Sequence, residues 1–237
     1  MKHYLLVISI LLFTVNAYSQ DKIDFDELLN KTVRKYENIS DYTCTFHKKE
    51  LIRGRLIEER NIFLKFKKPP HFYMKWLDGK NKGIEAIYVD GKYNNKLVVH
   101  LGGMLSFIKI SIDPEGKLAM RNNRHPIMEA GIGQIISIIE KNYRMSKNDT
   151  NVFITYEGEH VLSGNKSMLI KAVFPERKEY YGHIIYLYFE KESYLPIKIT
   201  VYDWENQLIE DYYFEDIKLN VGLTEKDFDT DNPDYDF

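Results

Sequence analysis

Residues 184–189 read Ile-Ile-Tyr-Leu-Tyr-Phe, and the fold of the chain turns on them. β-Branched and aromatic side chains suit the pleated, half-buried surface of a strand. A run this short, entered through a Tyr181-Gly182 turn signal, is a strand and not a helix. A strand with one face in water alternates apolar with polar residues. This one offers oily side chains to both faces, so the sheet that holds it is covered on both sides.

Working outward, the same period of two recurs. On the C-terminal side strands are predicted over 152–160, 168–174, 183–189, 196–204 and 210–217, with turn chemistry at Ser163-Gly164-Asn165 and Glu205-Asn206. On the N-terminal side Tyr42-Cys44-Phe46, Ile62-Leu64-Phe66 and Phe72-Met74-Trp76 alternate with their neighbours, and further strands follow at 84–89 and 97–99. Pro69-Pro70, Asp78-Gly79, Asp90-Gly91 and Gly102-Gly103 punctuate them. About ten strands joined by short turns make an antiparallel meander.

Two places carry a helical period. Phe25, Leu28, Leu29, Val33 and Tyr36 share a face after Asp24 or Asp26. An insertion over about 103–146 interrupts the strands. Met104, Leu105 and Ile108 predict a short apolar helix there, and Ile132, Ile135, Ile136, Ile139 and Tyr143 predict a second one. A sheet of this size must curl. The expected fold is α+β: a strongly curved antiparallel half-barrel whose concave face is covered by the N-terminal helix and the central helical insertion. The helical stripes are too few to fill the hollow, so its interior is either packed solid or partly an apolar cavity.

The first residues have the parts of a secretory signal: Lys2, an apolar run over 5–15, and Ala17-Tyr18-Ser19 as a cleavage site. The run is about half the roughly 20 residues that span a bilayer. Residues 1–19 are therefore expected to be a signal peptide and 20–237 a single domain that is exported and not membrane-spanning. No linker, repeat or low-complexity segment divides it. A net charge of −2 gives no nucleic-acid signature. Cys44 is the only cysteine, so no disulfide staples the chain, and burial of its 18 Tyr and 13 Phe has to supply stability.

Catalytic and metal motifs are weak. The six His beyond the leader are scattered, with no pair one helical turn apart, and no G-x-S-x-G elbow occurs. Gly131-Ile-Gly133 lacks the third glycine and the preceding strand of a dinucleotide site. Asp227-Phe-Asp229-Thr-Asp231-Asn232 imitates the start of a calcium loop but has Asn where such loops need Gly, and it reads as a solvated acidic tail strapped down by Phe228, Tyr235 and Phe237. No cofactor, metal or catalytic residue is expected. Lys48, Lys49, Arg53, Arg55, Arg60, Lys65, Lys67 and Lys68 form either cross-strand ion pairs with interleaved Glu50, Glu58 and Glu59 or an electropositive rim. The run Arg121-Asn-Asn-Arg-His-Pro-Ile127 is the most chemically loaded. Pro126 fixes the entry to the following helix, the asparagines suit turns, and Arg121, Arg124 and His125 serve as a structural clasp, an anion or headgroup clamp, or a general base with stabilisers.

The segments YTCTFHKKELIRG (42–54), FLKFKKPPHFYMKW (63–76), SIDPEGKLAMRNNRHPIMEAGIG (111–133) and YFEDIKLNVGLTEKDFDTDNPDYDF (213–237) resemble a bacterial exported family known as domain of unknown function 1571. The order of elements is similar to the periplasmic lipoprotein carrier, or LolA-like, superfamily and its sensor relatives. That resemblance implies a half-barrel around a hydrophobic hollow, a periplasmic location, and a lipid-binding role without an established activity. The expected function is non-enzymatic binding of a lipid, acyl chain or lipoprotein moiety. Phe63, Phe72, Met74, Trp76, Met104, Leu105, Ile135, Leu187 and Phe189 are the expected lining. The alternatives are an envelope sensor or scaffold that meets a protein partner through its concave face or sheet edge, and an enzyme acting on lipid or envelope polymer.

Overall fold

The computed structural model describes residues 23–105 and 107–237; the expected leader lies outside them. Among the described residues two α-helices, α1 (Phe25–Glu37) and α2 (Ile132–Ser146), accompany eleven strands. The first six are β1 (Asp41–Ile52), β2 (Arg55–Lys67), β3 (His71–Trp76), β4 (Glu85–Val89), β5 (Leu97–His100) and β6 (Lys109–Ile112). The remainder are β7 (Phe153–Leu162), β8 (Asn165–Val173), β9 (Ile184–Glu190), β10 (Pro196–Tyr202) and β11 (Leu208–Leu219).

All eleven form one antiparallel sheet in the order β6-β5-β4-β3-β2-β1-β11-β10-β9-β8-β7, curved and unclosed. Each meander is tied by tight hairpins. Arg53 and Gly54, both at positive φ, make the two-residue turn between β1 and β2, and Ser163 and Gly164 do the same between β7 and β8. Register shifts interrupt five of the ladders, and each bulge bends its strand. β6 and β7 lie at opposite edges, so the chain between them must cross the concave face. That topology puts the insertion inside the hollow.

One expected element differs. A single 3-10 turn at Gly103–Leu105 stands in place of the apolar helix, and Lys109-Ile-Ser-Ile112 then forms an eleventh strand. The β-branched pair Ile110 and Ile112 alternates with Lys109 and Ser111, a period of two too brief to outweigh the apolar run before it.

Opposite faces of the sheet are covered by different means. On the concave side Tyr42, Phe72, Phe189, Phe214 and Ile199 are at most 1–2 % exposed, and Leu28 and Leu29 of α1 join Ile132, Ile135, Ile136 and Ile139 of α2 against them. Ile132 N–H donates to Tyr42 Oη at 3.0 Å, which caps the first turn of α2. Gly131 and Gly133 are there for space: a Cβ on either would collide with the phenol of Tyr42 or of Tyr36. Cys44 is buried and free, its thiol pushed up by burial.

On the convex side of β2–β5 the C-terminal segment lies as a strap. Phe228 is fully buried with Tyr73, Ile87 and Val89, and Tyr235 stacks on Tyr73 at 4.1 Å. Its acids are not free in solvent as the sequence suggested. Asp227 pairs with Lys65 at 2.8 Å, Asp229 with Lys92 at 2.8 Å and Asp236 with Lys75 at 3.1 Å. The lysines of these strands are thereby engaged. On the convex side of β9, Lys171 and Lys198 lie over the rings of Tyr186 and Tyr188, so lysine stems cover the outward aromatics of the 184–189 run.

Because Phe228 anchors the strap, Phe228→Ala is expected to lower unfolding free energy by about 3–5 kcal/mol in urea titrations. A loss under about 1 kcal/mol would mean the strap contributes little to the folded sheet.

Candidate functional site

The concave face is occupied unequally. Under α1 and α2, where β7–β10 supply the wall, packing is nearly complete: a gap of about 20 Å³ remains among Phe25, Ile139, Leu187 and Ile199. Under the 113–131 segment, where β1–β6 supply the wall, a cavity of about 330 Å³ is left. Its wall is Phe46, Ile62, Met74, Trp76, Ala86 and Val99, from the inward faces of β1 to β5. Its roof is Pro114, Leu118, Ala119, Pro126, Ile127 and Ala130, with Arg121 and Asn122 at the exposed rim. Lys48, Glu50, Glu59 and Asn81 make one end polar. The indole N–H of Trp76 is buried in this wall without an acceptor among the described residues.

The polar end exists because period two continues past the apolar stretch. Tyr42, Cys44 and Phe46 point inward, and so do Lys48 and Glu50. On β11, Glu210 shares the inward face with Tyr212 and Phe214, and Glu50 and Glu210 are register partners. Both carboxylates are buried, at 3 % and 0 % exposure. Like charges directly opposite across a ladder repel, so each needs donors. Lys48 Nζ reaches Glu50 at 3.3 Å and Glu59 at 3.2 Å. Tyr212 donates its hydroxyl to Glu50, and Tyr181 donates to Glu210 at 2.7 Å.

The roof supplies the remaining donors. Arg124 N–H donates to Glu50 at 3.3 Å, and its guanidinium Nε lies 3.5 Å from Glu210. Asn123 accepts from Lys48 and donates to Ala119 O at 2.7 Å. His125 is held at both nitrogens: Nδ1 to Glu129 at 2.9 Å, and Nε2 to Tyr181 at 2.8 Å and Glu210 at 3.3 Å. Burial disfavours its charged form, but the hydrogen bonds and charges of Glu210 and Glu129 outweigh that, and the imidazolium is favoured above the usual histidine value. Burial together with the Glu210 and Glu50 carboxylates holds the phenols of Tyr181 and Tyr212 far above the ordinary range, so both stay donors.

Of the expected lining, Met74 and Trp76 face the cavity. Phe72 is buried just beyond it, beside Phe66 and Gly131. Ile135, Leu187 and Phe189 belong to the packed half. Phe63 lies on the convex side among the strap residues. Met104 and Leu105 stand outside, 95 % and 49 % exposed. Arg121 lines the rim, while Arg124 and His125 are drawn into the clasp. Sequence reading did not single out Phe46, Ile62, Ala86, Glu210 or Tyr212 as lining, and it set Lys48 and Glu59 in cross-strand ion pairs or an electropositive rim; the inward parity of Lys48, Glu50 and Glu210 was the available signal. Among the described residues no group of His, Cys, Asp and Glu is arranged to hold a metal ion.

A family model described as "Protein of unknown function (DUF1571)" matches residues 39–237. No curated protein matches the chain. The solved structure of the lipoprotein LppX of Mycobacterium tuberculosis is similar at TM-score 0.50 and 9 % identity, over 85 % of this chain and 99 % of that one. The Pseudomonas aeruginosa MucA/MucB complex is similar at TM-score 0.45 and 15 % identity, over 87 % of this chain and 61 % of that one. A LolA superfamily protein from Nitrosomonas europaea gives 0.36 and 9 %, over 89 % and 99 %. The half-barrel that the element order implied is a fold the chain shares with LppX.

The raised His125 pKa fixes a pH dependence. The stability it contributes is complete below its unfolded value of about 6.5 and is lost as pH rises through the higher folded value. His125→Gln, which cannot take the proton, is expected to destabilise the protein more at mildly acidic than at alkaline pH in paired urea titrations. An equal loss at both pH values would contradict the clasp.

Proposed function

The chain belongs to the DUF1571 family, and from that starting point we propose that it is an exported, non-enzymatic binding protein that holds a lipidic acyl chain in the β1–β6 half of its half-barrel. The cavity of about 330 Å³ carries this reading. It falls in the roughly 300–1,000 Å³ range of small-molecule sites, and its apolar wall with a few convergent polar groups matches their chemistry. The hydrocarbon lies against Ile62, Met74, Ala86 and Val99. A polar head points to the Lys48, Glu59 and Asn81 end, and the Trp76 N–H offers a donor to a carbonyl between them.

Burial supplies the affinity, at about 0.8 kcal/mol per methylene. The polar cluster supports a binding role over a catalytic one. Both nitrogens of His125 are committed to Glu129, Tyr181 and Glu210. No Ser, Thr or Cys is among the residues described as lining the cavity, and the hydroxyls beside His125, those of Tyr181 and Tyr212, are committed as donors to Glu210 and Glu50. Among the described residues no helix is long and apolar enough to cross a membrane, which agrees with a carrier that works outside the bilayer.

A second reading rests on β7. This edge strand runs for ten residues, with Phe153 60 % and Val161 67 % exposed along it. A long edge with free backbone groups is a template for an added strand, which suits a protein partner of the envelope.

Saturated fatty acids of increasing length, titrated while Trp76 emission is followed, separate the two. Each added methylene is expected to tighten binding about fourfold until the hollow is full, and Ala86→Phe, which fills it, to abolish binding while the chain stays folded. Affinity independent of chain length, or unchanged in Ala86→Phe, would overturn the acyl-chain reading.

A further inference from the structure

The β1–β2, β3–β4 and β5–β6 turns lie at one end of the sheet, because alternate turns of an antiparallel meander share an end. They touch. Gly102 of the β5–β6 turn packs so closely on Lys82 and Gly83 of the β3–β4 turn that a Cβ there would overlap their backbone. Asn81 of the β3–β4 turn donates to Glu59 of β2. The β3–β4 and β5–β6 turns form a rim at the polar end of the cavity, where Trp76, Asn81 and Ile84 line it, and the β1–β2 hairpin extends past them at the same end.

This rim is where the protein leaves its apolar surface uncovered. The described residues expose ten large apolar side chains, and five of them are here: Leu56, Leu77, Met104, Leu105 and Phe107. Phe107 is 81 % exposed and Met104 is 95 % exposed. Isolated exposed apolar residues are ordinary, but five on neighbouring turns are a patch that needs a partner. Interleaved with them are Arg53, Arg55, Lys80 and Lys82, all exposed and none in an ion pair among the described residues. Of the nearby acids, Glu58 pairs with Lys49 and Arg60 and Glu85 with Lys75, while the exposed Asp78 accepts from the neutral amide of Asn61 and keeps its charge. The charge presented outward is predominantly positive.

We propose that this rim docks on a lipid surface bearing anionic headgroups. Apolar tips on separate turns are points, suited to entering the boundary between headgroups and acyl chains. A row of unpaired Lys and Arg beside them is the complement of anionic lipid. Stable attachment of a peripheral protein needs two such signals, and the rim has both. Docked in this way, the polar end of the cavity faces the bilayer, so an amphiphile passes between membrane and hollow without its hydrocarbon crossing open water. The docking itself does not depend on what the cavity holds.

Flotation of the exported chain with vesicles tests it, using phosphatidylcholine alone against phosphatidylcholine mixed with phosphatidylglycerol. The chain is expected to float with the mixed vesicles only, and to be released by added salt. Each cation removed in Arg53→Gln, Arg55→Gln, Lys80→Gln and Lys82→Gln weakens partitioning about fivefold. Met104→Ser with Phe107→Ser removes it at any salt, with Tm and fatty-acid titrations unchanged because these side chains lie outside the core and the cavity. Failure of the chain to float with mixed vesicles overturns the proposal, as does equal flotation of the variants. So does self-association that the Met104→Ser, Phe107→Ser variant abolishes, since the rim would then be an interface between copies. Loss of fatty-acid binding alone would bear on the cavity and leave the rim standing.

Discussion

Glu50 and Glu210 face each other across the central ladder of the sheet, both out of water. The strands alone do not satisfy both. Lys48 and Tyr212 answer Glu50, Tyr181 answers Glu210, and the 113–131 segment then brings Arg124 and His125 over the pair. An uncompensated buried carboxylate is costly, on the order of 3–5 kcal/mol when its partner is removed. The two acids therefore fix where the roof sits. With the roof placed there, its apolar underside stands off from β3–β5 and does not collapse on them, and the cavity is the space between.

Topology makes this arrangement possible. Since β6 and β7 lie at opposite edges, one crossover must both bridge the concave face and fill it. α1 and α2 suffice for the β7–β10 half, where close to nothing is left over. The other half receives only irregular chain and 3-10 turns, which bring less side-chain volume. The convex face has a separate solution, in which the tail and its acids consume the lysines of β2 and β3. That leaves the cations at the turns without partners and gives the molecule one end unlike the rest of its surface.

Much of the fold was legible in local pattern. The period of two found the strands other than β6, and the stripes Leu28-Leu29 and Ile132-Ile135-Ile136-Ile139 found both helices. The run at 184–189 does have both faces covered, by helices within and lysine stems without. What local pattern could not give was facing and position. Phe63 and Leu64 are equally apolar, so alternation does not say which points in, and a tail more than 160 residues away half-covers the outward place of Phe63. Leu187 and Phe189 do point in, but into the packed half, and which half fills depends on the crossover. The chemistry of the clasp was half visible. Arg124 and His125 stood out as a motif, whereas Glu50 and Glu210, the groups they serve, lie on separate strands joined only by register.

The unequal filling of the half-barrel is the claim on which the binding role rests. Dry apolar cavities take up xenon. Diffraction from crystals held under xenon should show anomalous density between Met74, Ala86 and Val99, and none between α2 and β9. Density absent from the first place, with side chains closed over it, would contradict the account.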